Sequence, residues 1–494
     1  MKKKILLYMT AAALTLTMGS CSIDVNNDPN HPTTVDPTLE LPAAQNNIAY
    51  AVGYDMAIPS GIFVQYYDQL PESEQYGKLV RYVFTQSDGI IDDSYAALYS
   101  GALMDLQDIL SSSTTSAGDK FAAECLRAYS LQLAVDTWDQ VPYSDALKGS
   151  GSTQPKWDKG EDVYKGILNE LDSLQKNVTS ASTMEANDLV NGGSMSQWIG
   201  FANALRLRMY LRFIDAGVDA STYEAKVKAL ISQNEFFTGD IKFDAYSNED
   251  NRRNPFYTAS KVKLNTTNLC AGYAIVSYMK ATNDTKRLNY DFAPSAGTND
   301  VVGTLPATKY GFQSLKNKDC SELNYYATMP VYFFTQAELQ FLIAEAQLRF
   351  NNNDAAAKAA YQAGIEADYE SRGLTGASAV YNSEAASWDN ATTTTAKLKL
   401  IYMQKWVSLF YRDHTEAWSE QRRTDVPAWS TTTAQKIYNK DMEGYSAGDL
   451  IQPAVNALGN AVVKRQWFPD RAKNYNNNTP AAVSITQPVW WDVK

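Results

Sequence analysis

The chain has 494 residues, of which 45% are hydrophobic and 20% charged, and its mean hydropathy is -0.36. This composition excludes a disordered chain, a collagen-like chain and a protein with many membrane spans, so it indicates a water-soluble globular protein. Acidic residues outnumber basic ones by 55 to 44. That balance argues against a nucleic-acid partner, because phosphate backbones are bound by Lys and Arg.

The residues at 1–21 predict export. Three lysines at 2–4 precede an apolar stretch at 5–18 and then Gly19-Ser20-Cys21, which is typical of a secretory signal peptide over residues 1–20. As a helix the apolar stretch would reach only about 21 Å, short of a hydrocarbon core of about 30 Å. Met18 to Cys21 resembles the bacterial lipobox, with Met where Leu is usual, which implies a lipidated Cys21. The alternative is a plain cleavage site that leaves a free thiol.

Residues 21–42 are rich in Asn and Pro and predict an extended, lipid-anchored tether. A single helical domain is then expected over 43–494. Beyond Cys21 the cysteines are Cys125, Cys270 and Cys320. Two alternatives stay open for them: one disulfide, between Cys270 and Cys320, or buried free thiols.

Helical spacing dominates the rest of the chain. Apolar residues recur every three or four positions over 121–136, 196–215 and 397–418, which predicts core-facing helices. Two stretches predict helix pairs, 335–350 with 355–369 and 118–136 with 161–175. In the first pair Asp354 is the expected N-cap, and its length of about 34 residues resembles a tetratricopeptide unit.

Four polar connections without helical period follow or separate these helices. They cover 246–267, 283–318, 371–396 and 429–494 and are rich in Asn, Thr, Tyr and Trp. Loops of this length inside a domain are usually functional. The predicted fold class is therefore mainly α, with tetratricopeptide-like helix pairs and long, irregular, loop-rich insertions.

Several charged and aromatic residues are predicted to be structural. A planar guanidinium fork suits a carboxylate and locks helices together. We expect such pairs between two sets, Arg206, Arg208, Arg212, Arg422 and Arg423 on one side and carboxylates such as Asp136, Glu338, Glu345 and Glu416 on the other. Trp138, Pro142 and Tyr143 are expected to form a helix-to-loop corner, and His414 to be a core histidine.

Candidate catalytic and metal-ligating residues are scarce. The two histidines, His31 and His414, lie in opposite terminal regions, which removes what Ser/His/Asp triads and His-rich zinc sites need. The Asp- and Asn-rich stretch at 244–251 matches no calcium loop, and whether it holds Ca²⁺ stays open from the sequence. We predict no other metal site and no cofactor.

Motifs in order along the whole mature chain resemble the SusD/RagB family of bacterial surface lipoproteins. They lie at Val135–Leu147, Trp198–Arg212, Glu338–Ala346, Gln404–Trp406 with Glu416–Thr424, Arg465–Pro469 and Trp490–Asp492. Three substitutions depart from the family pattern, namely Asp139 for Gly, Asp145 for Glu and Phe468 for Tyr. The stretch Asp284–Leu288 also departs from the usual Asp-Pro-Arg-Leu.

The resemblance implies a SusD-like protein at the outer membrane that captures nutrient, usually oligosaccharide, without catalysis. It also implies a partner, a SusC-like TonB-dependent transporter barrel over which the helical side acts as a lid. A sugar offers an apolar ring face and a rim of hydroxyls, which flat aromatic rings and polar side chains bind. The candidate ligand-binding residues are Tyr66, Tyr67, Asp68, Tyr76, Arg81, Tyr82, Tyr246, Tyr257 and Tyr310. Each could instead be a surface residue packed on a neighbouring loop.

Two other function classes compete with a binding protein. A glycoside hydrolase needs only two carboxylates about 5 to 9.5 Å apart, but no pair stands out among the acidic residues. A surface adhesion or structural protein would share the fold and lack a small-molecule cleft. Convergence of the aromatic loops on one exposed groove would separate a binding protein from an adhesion or structural protein.

Overall fold

The computed structural model describes residues 36–263 and 268–494. The predicted signal peptide and the lipidated Cys21 lie outside these residues. In the described part of the chain no helix combines the length and hydropathy that crossing a membrane requires. Helices dominate the described residues and strands are short, which confirms the predicted fold class.

The first half of the chain contains nine helices among its described residues and four strands. The helices are α1 (Pro37–Tyr50), α2 (Ala57–Phe63), α3 (Gly77–Val80), α4 (Asp92–Ala96), α5 (Met104–Ser111), α6 (Ala117–Trp138), α7 (Gly160–Gln175), α8 (Met195–Asp215) and α9 (Ala220–Gln233). The strands are β1 (Tyr67–Gln69), β2 (Gln140–Pro142), β3 (Trp157–Lys159) and β4 (Ile241–Phe243). Two π-helical turns, Ala51–Asp55 and Ala97–Leu103, extend neighbouring helices.

The second half adds shorter helices between longer ones. The helices are α10 (Pro255–Tyr257), α11 (Tyr273–Ala281), α12 (Thr285–Asp291), α13 (Gln336–Arg349), α14 (Asp354–Ser371), α15 (Ser378–Tyr381), α16 (Thr394–Ser408), α17 (His414–Thr424), α18 (Ala434–Tyr438) and α19 (Asp470–Tyr475). The strands are β5 (Leu269–Ala271) and β6 (Val331–Phe334). Each strand pairs antiparallel with one other, as β1 with β5, β2 with β3 and β4 with β6.

The predicted helix pairs are present. Helices α6 and α7 pack together, as do α13 and α14. In the second pair a Cβ added at Gly364 would lie 2.7 Å from Cε1 of Phe341, so the small residue allows the close crossing. Asn353, rather than the expected Asp354, caps α14, with its side chain accepting from the backbone N–H of Ala356.

Two sequence-based expectations were wrong in detail. The extended tether predicted to Pro42 ends earlier, because α1 begins at Pro37 with Asp36 as N-cap, and Pro is well suited to the first helical turn. The helix predicted over 397–418 is two helices, α16 and α17. They are separated by a turn in which Tyr411 has a φ of 60° and Asp413 caps α17.

Buried ion pairs join the long helices. Arg208 on α8 donates to Glu338 on α13 at 2.8 Å. Arg212, one turn further on α8, contacts Asp136 on α6 at 2.5 Å and Glu416 on α17 at 2.6 Å. All five side chains are fully buried, so the predicted structural role of these arginines is confirmed.

The remaining predicted arginines divide into two kinds. Arg423 contacts Glu345 at 2.7 Å, and Arg206 contacts Asp172 at 2.9 Å. Arg422 differs from the prediction. It donates to the backbone carbonyls of Asp136 and Lys464 at 2.9 and 2.8 Å. Its guanidinium carbon lies 3.8 Å from the ring centre of Trp418, so stacking and carbonyl bonds replace a carboxylate partner.

The end of α6 is the predicted corner, and the C-terminal segment returns to it. Asp139 has a φ of 70°, a left-handed conformation that explains why the related pattern has Gly here. The Asp139 carboxylate accepts from the backbone N–H of Trp490 at 2.7 Å. The indole N–H of Trp491 donates to Asp136 at 2.7 Å. The tail therefore completes the core around α6.

Candidate functional site

Arg81 and Tyr310 lie next to each other on the surface of the protein. Arg81 follows α3, and Tyr310 lies in the long connection between α12 and β6. The guanidinium carbon of Arg81 lies 4.1 Å from the ring centre of Tyr310, a cation–π contact. Both side chains are partly exposed. Of the nine candidate residues, these two present an aromatic ring and a charged fork at one solvent-facing place.

A hydrogen-bond network holds the Tyr310 hydroxyl. It accepts from the side-chain amide of Gln69 at 2.8 Å and donates to the carboxylate of Glu74 at 2.8 Å. Lys309 contacts the same carboxylate at 2.6 Å, and its hydrogen bond lowers the pKa of Glu74. A Cβ at Gly77 would lie 2.2 Å from the Tyr310 hydroxyl oxygen, so Gly77 leaves room for this arrangement.

A second aromatic pair lies on the polar connections, close to Tyr310 in sequence. Phe312, two residues after Tyr310, packs against Tyr438 of α18 with ring centres 5.3 Å apart, and Tyr438 is 44% exposed. We call Glu74, Arg81, Lys309 and Tyr310 the loop face. It offers a ring surface, two cations and a carboxylate, which is the chemistry needed to stack a sugar ring and to bond its hydroxyls.

Sequence reasoning missed Glu74 and Lys309 of the loop face, the buried Gln69 that bonds Tyr310, and the Phe312–Tyr438 pair. Gln69, Glu74 and Lys309 have no periodic signal, and their importance comes from contacts between segments far apart in the chain. Phe312 and Tyr438 lie in stretches already expected to be functional. Their aromatic character within those polar loops was the available signal.

Five other candidates are buried beneath the surface. Tyr66, Tyr67, Asp68, Tyr76 and Tyr82 are each at most 8% exposed. The Tyr66 hydroxyl donates to the Trp406 carbonyl, and the Tyr67 hydroxyl donates to the Ala57 carbonyl at 2.8 Å. The Asp68 carboxylate accepts from the backbone N–H groups of Gln69 and Ala307. These residues support the loop face from within the core and do not present a free ring to solvent.

The last two candidates lie elsewhere. Tyr246 packs on Phe243 of β4 with ring centres 5.2 Å apart. Tyr257 of α10 packs edge-on against Tyr325, 6.0 Å between centres. The structure does not bring either residue to the loop face.

The three described cysteines are buried free thiols, which is one of the two alternatives left open. Cys270 of β5 is hydrogen-bonded to Cys320, and that bond together with burial raises the pKa of Cys270. Over 36–263 and 268–494 no group of three His, Cys, Asp or Glu side chains is placed to hold a metal ion.

The chain belongs to the SusD-like family. The profile of that family, described as starch-binding and associating with the outer membrane, matches residues 29–444. A comparison with curated proteins found no match.

Solved structures share the fold at low sequence identity. A chitin-binding SusD homolog from Flavobacterium johnsoniae is 21% identical, with a TM-score of 0.72, and the match covers 92% of this chain and 97% of that chain. A SusD homolog from Bacteroides ovatus is 20% identical, with a TM-score of 0.72 and coverage of 93% and 100%. One from Bacteroides uniformis is 18% identical, with a TM-score of 0.70 and coverage of 91% and 99%.

Proposed function

We propose that this protein is a lipid-anchored, surface-exposed outer-membrane protein that binds oligosaccharide and delivers it to a SusC-like TonB-dependent transporter barrel, without catalysis. Family membership supports the glycan and the outer membrane, since the family description names both. The chitin-binding homolog of the same fold supports a polysaccharide-derived ligand.

The observation that carries the binding proposal is the Tyr310 ring, held by Gln69, Glu74 and Arg81. A ring fixed by three partners pays little conformational entropy when a ligand stacks on it. Glu74 is 74% exposed in its side chain, so its carboxylate can accept sugar hydroxyls. We propose the loop face as the oligosaccharide site.

The absence of catalysis is supported by the positions of three of the four described carboxyl groups whose pKa is raised to about 7, the fourth being the partly exposed Glu40 of α1. Burial raises the pKa of Asp68, Glu124 and Asp413 to about 7 each, a value suited to acid–base work. All three side chains are in the core, at most 5% exposed. They would not reach a polysaccharide bound at the surface.

The binding proposal predicts a loss of affinity in Tyr310→Ala. We expect the dissociation constant for a bound oligosaccharide to rise about tenfold or more, because ring stacking and its buried area are lost. Isothermal titration with starch-derived and chitin-derived oligosaccharides measures it. Tyr475→Ala is the control, since Tyr475 is 80% exposed and far from the loop face in sequence.

An unchanged affinity in Tyr310→Ala, with Tyr475→Ala also unchanged, would place the glycan elsewhere. Release of reducing sugar by the purified protein would contradict the non-catalytic proposal.

The anchor and the transporter are tested together. We expect the full-length protein to co-purify with a large barrel from outer membranes, and Cys21→Ser to leave the membrane fraction because it cannot be lipidated. The helix pairs α6 with α7 and α13 with α14 are the proposed docking side. Recovery of the intact protein from outer membranes without any barrel would contradict the partnership.

A further inference from the structure

A half-enclosed pocket lies apart from the loop face. Its walls include Ala57, Phe256, Tyr325, Val331, Tyr411 and Arg412. The π-helical turn Ala51–Asp55 forms one side, and Gly53 there approaches β6 so closely that a Cβ would lie 2.4 Å from Val331. Its free volume is about 30 Å³, which exceeds what one water needs.

Arg412 is a cationic residue of the pocket wall that has no carboxylate in direct contact. It is 5% exposed, and over the described residues no carboxylate oxygen lies within 4.0 Å of its guanidinium nitrogens. Asp291, whose carboxyl feels the charge of Arg412, is paired with Arg372 at 3.2 Å. Arg412 donates to the Ser371 hydroxyl at 3.3 Å and lies 4.5 Å from the Tyr332 ring centre.

The Nε of Arg412 has no hydrogen-bond partner among the described residues. A buried cation without a carboxylate is costly. Elsewhere in this core, Arg208 and Arg212 each have carboxylate partners, so the environment of Arg412 is unlike theirs.

Tyr411 supplies a second unused donor. Its hydroxyl is buried and, in the described part of the chain, has no hydrogen-bond partner. Its backbone φ of 60° is unfavourable for a bulky residue. The backbone N–H donates to Nε2 of His414 at 2.9 Å, and the ring packs on Phe410 with centres 4.1 Å apart. The strained turn thus holds the ring at the pocket.

Tyr325 of the wall is a third case, because its hydroxyl is buried and has no hydrogen-bond partner among the described residues. The remaining polar side chains of the wall, Asn254 and His414, are already used. Asn254 donates to the Met329 carbonyl at 2.8 Å and accepts from the backbone N–H of Tyr257 at 3.2 Å. His414 accepts from Tyr411 and faces the Ala57 carbonyl at 3.2 Å. The unused polar atoms identified at the pocket, on Arg412, Tyr411 and Tyr325, can all donate, and one of them is cationic.

We infer that this pocket binds the carboxylate group of a small organic acid. An ionised carboxylate only accepts hydrogen bonds and pairs best with a guanidinium, so it matches three unused donors of which one is charged. The apolar walls suit the adjoining carbons, and the rest of the ligand would lie at the mouth, where Tyr325 and Pro330 are partly exposed. A sugar acid and an amino-acid or peptide terminus present the same group.

The test is isothermal titration of the intact protein at constant ionic strength. The probes are sodium glucuronate, N-acetylglycine and acetate, with uncharged glucose as the control. We expect saturable binding of a carboxylate probe and none of glucose at the same concentration. Tighter binding of glucuronate than of N-acetylglycine would indicate a sugar acid, and the reverse order an amino acid or peptide.

The matched variant is Tyr411→Phe, which removes one oxygen that no described residue bonds. It should fold with an unchanged or higher melting temperature, because a buried unpaired hydroxyl is lost, and bind the carboxylate about tenfold more weakly. Tyr310→Ala should leave this binding unchanged, which separates the pocket from the loop face.

Arg412→Gln should abolish carboxylate binding if it folds, as checked by circular dichroism. If Arg412→Gln does not fold, Tyr411→Phe alone decides. Equal responses to glucose and to all the carboxylates, or equal affinity in Tyr411→Phe and the unchanged protein, would overturn the inference.

Discussion

His414 shows how a single residue couples the core to pH. Its imidazole is 4% exposed, and both ring nitrogens face partners, the Tyr411 N–H and the Ala57 carbonyl. Burial lowers its pKa from 6.5 to about 3. The imidazole therefore stays neutral in the folded protein at pH values where an unfolded chain would take up a proton.

Acid should cost stability through this residue. Because the folded pKa is depressed, the stability that His414 contributes is present above pH 6.5 and is lost as pH falls toward 3. The neutral variant His414→Gln should lack this loss. From pH 7 to pH 4 the free energy of unfolding should fall by about 3 kcal/mol more in the unchanged protein than in His414→Gln.

Urea unfolding at several pH values measures the difference between the two slopes. Parallel slopes would show that His414 does not titrate differently on unfolding.

At the site, individual residues could be predicted but their partnerships could not. Arg81 and Tyr310 were both candidates from the resemblance, and the structure brings them within 4.1 Å. Tyr66, Tyr67 and Tyr82 carried the same signal and are buried. The sequence does not distinguish an exposed tyrosine from a buried one in a loop-rich segment. Burial depends on contacts with residues far away in the chain, as between Tyr66 and Trp406.

Among the elements, α8 has the central position because its arginines contact four other helices, α6, α7, α13 and α17. Glu338 accepts from Arg208 through both carboxylate oxygens at 2.8 Å and lies 3.4 Å from Lys405. Removing one partner of a buried pair leaves a charge unpaired. Carboxylate partners for the α8 arginines were predictable because a planar guanidinium fork suits a carboxylate, whereas the helix that each arginine contacts was not.

Glu338→Ala should therefore lower the free energy of unfolding by about 3 to 5 kcal/mol. Glu224→Ala is the control, because Glu224 pairs with Lys228 on the exposed side of α9, where both side chains are over 40% exposed. That change should cost less than about 1 kcal/mol. Chemical denaturation of both variants provides the comparison. Equal losses of unfolding free energy would mean that the buried Arg208–Glu338 pair stabilises the protein no more than the exposed Glu224–Lys228 pair.

The break between α16 and α17 was not predictable from spacing. Met403, Val407, Phe410 and His414 keep helical intervals across it and are all buried. The chain leaves the helix at 409–413 and enters α17 in phase, so the pattern looked continuous. Asp413 as N-cap was the available signal.

At the scale of the whole molecule, residues from both ends of the described chain share one core. Leu41 and Ile48 of α1 and Trp491 near the C-terminus belong to the same hydrophobic cluster as α6 and α8. Trp491 is 1% exposed, and its ring centre lies 4.9 Å from the Arg422 guanidinium.

Trp491→Ala should destabilise the protein by about 3 to 5 kcal/mol, because it opens a cavity and removes one of the hydrogen-bond donors to Asp136. Tyr475→Ala, at an 80% exposed position, should change stability by less than about 0.5 kcal/mol. Thermal unfolding followed by circular dichroism distinguishes the two. A melting temperature for Trp491→Ala equal to that of Tyr475→Ala would contradict this role.

The return of the tail to α6 also bears on biogenesis. The bond from Trp491 to Asp136 spans 355 positions of sequence, and ribosomes and export channels release a chain from its N-terminus first. The end of helix α6 is therefore covered only after Trp490 and Trp491 have been synthesised. A chain without residues 490–492 would leave Arg422 and the end of α6 uncovered, and we expect proteases to cleave it faster than the full chain.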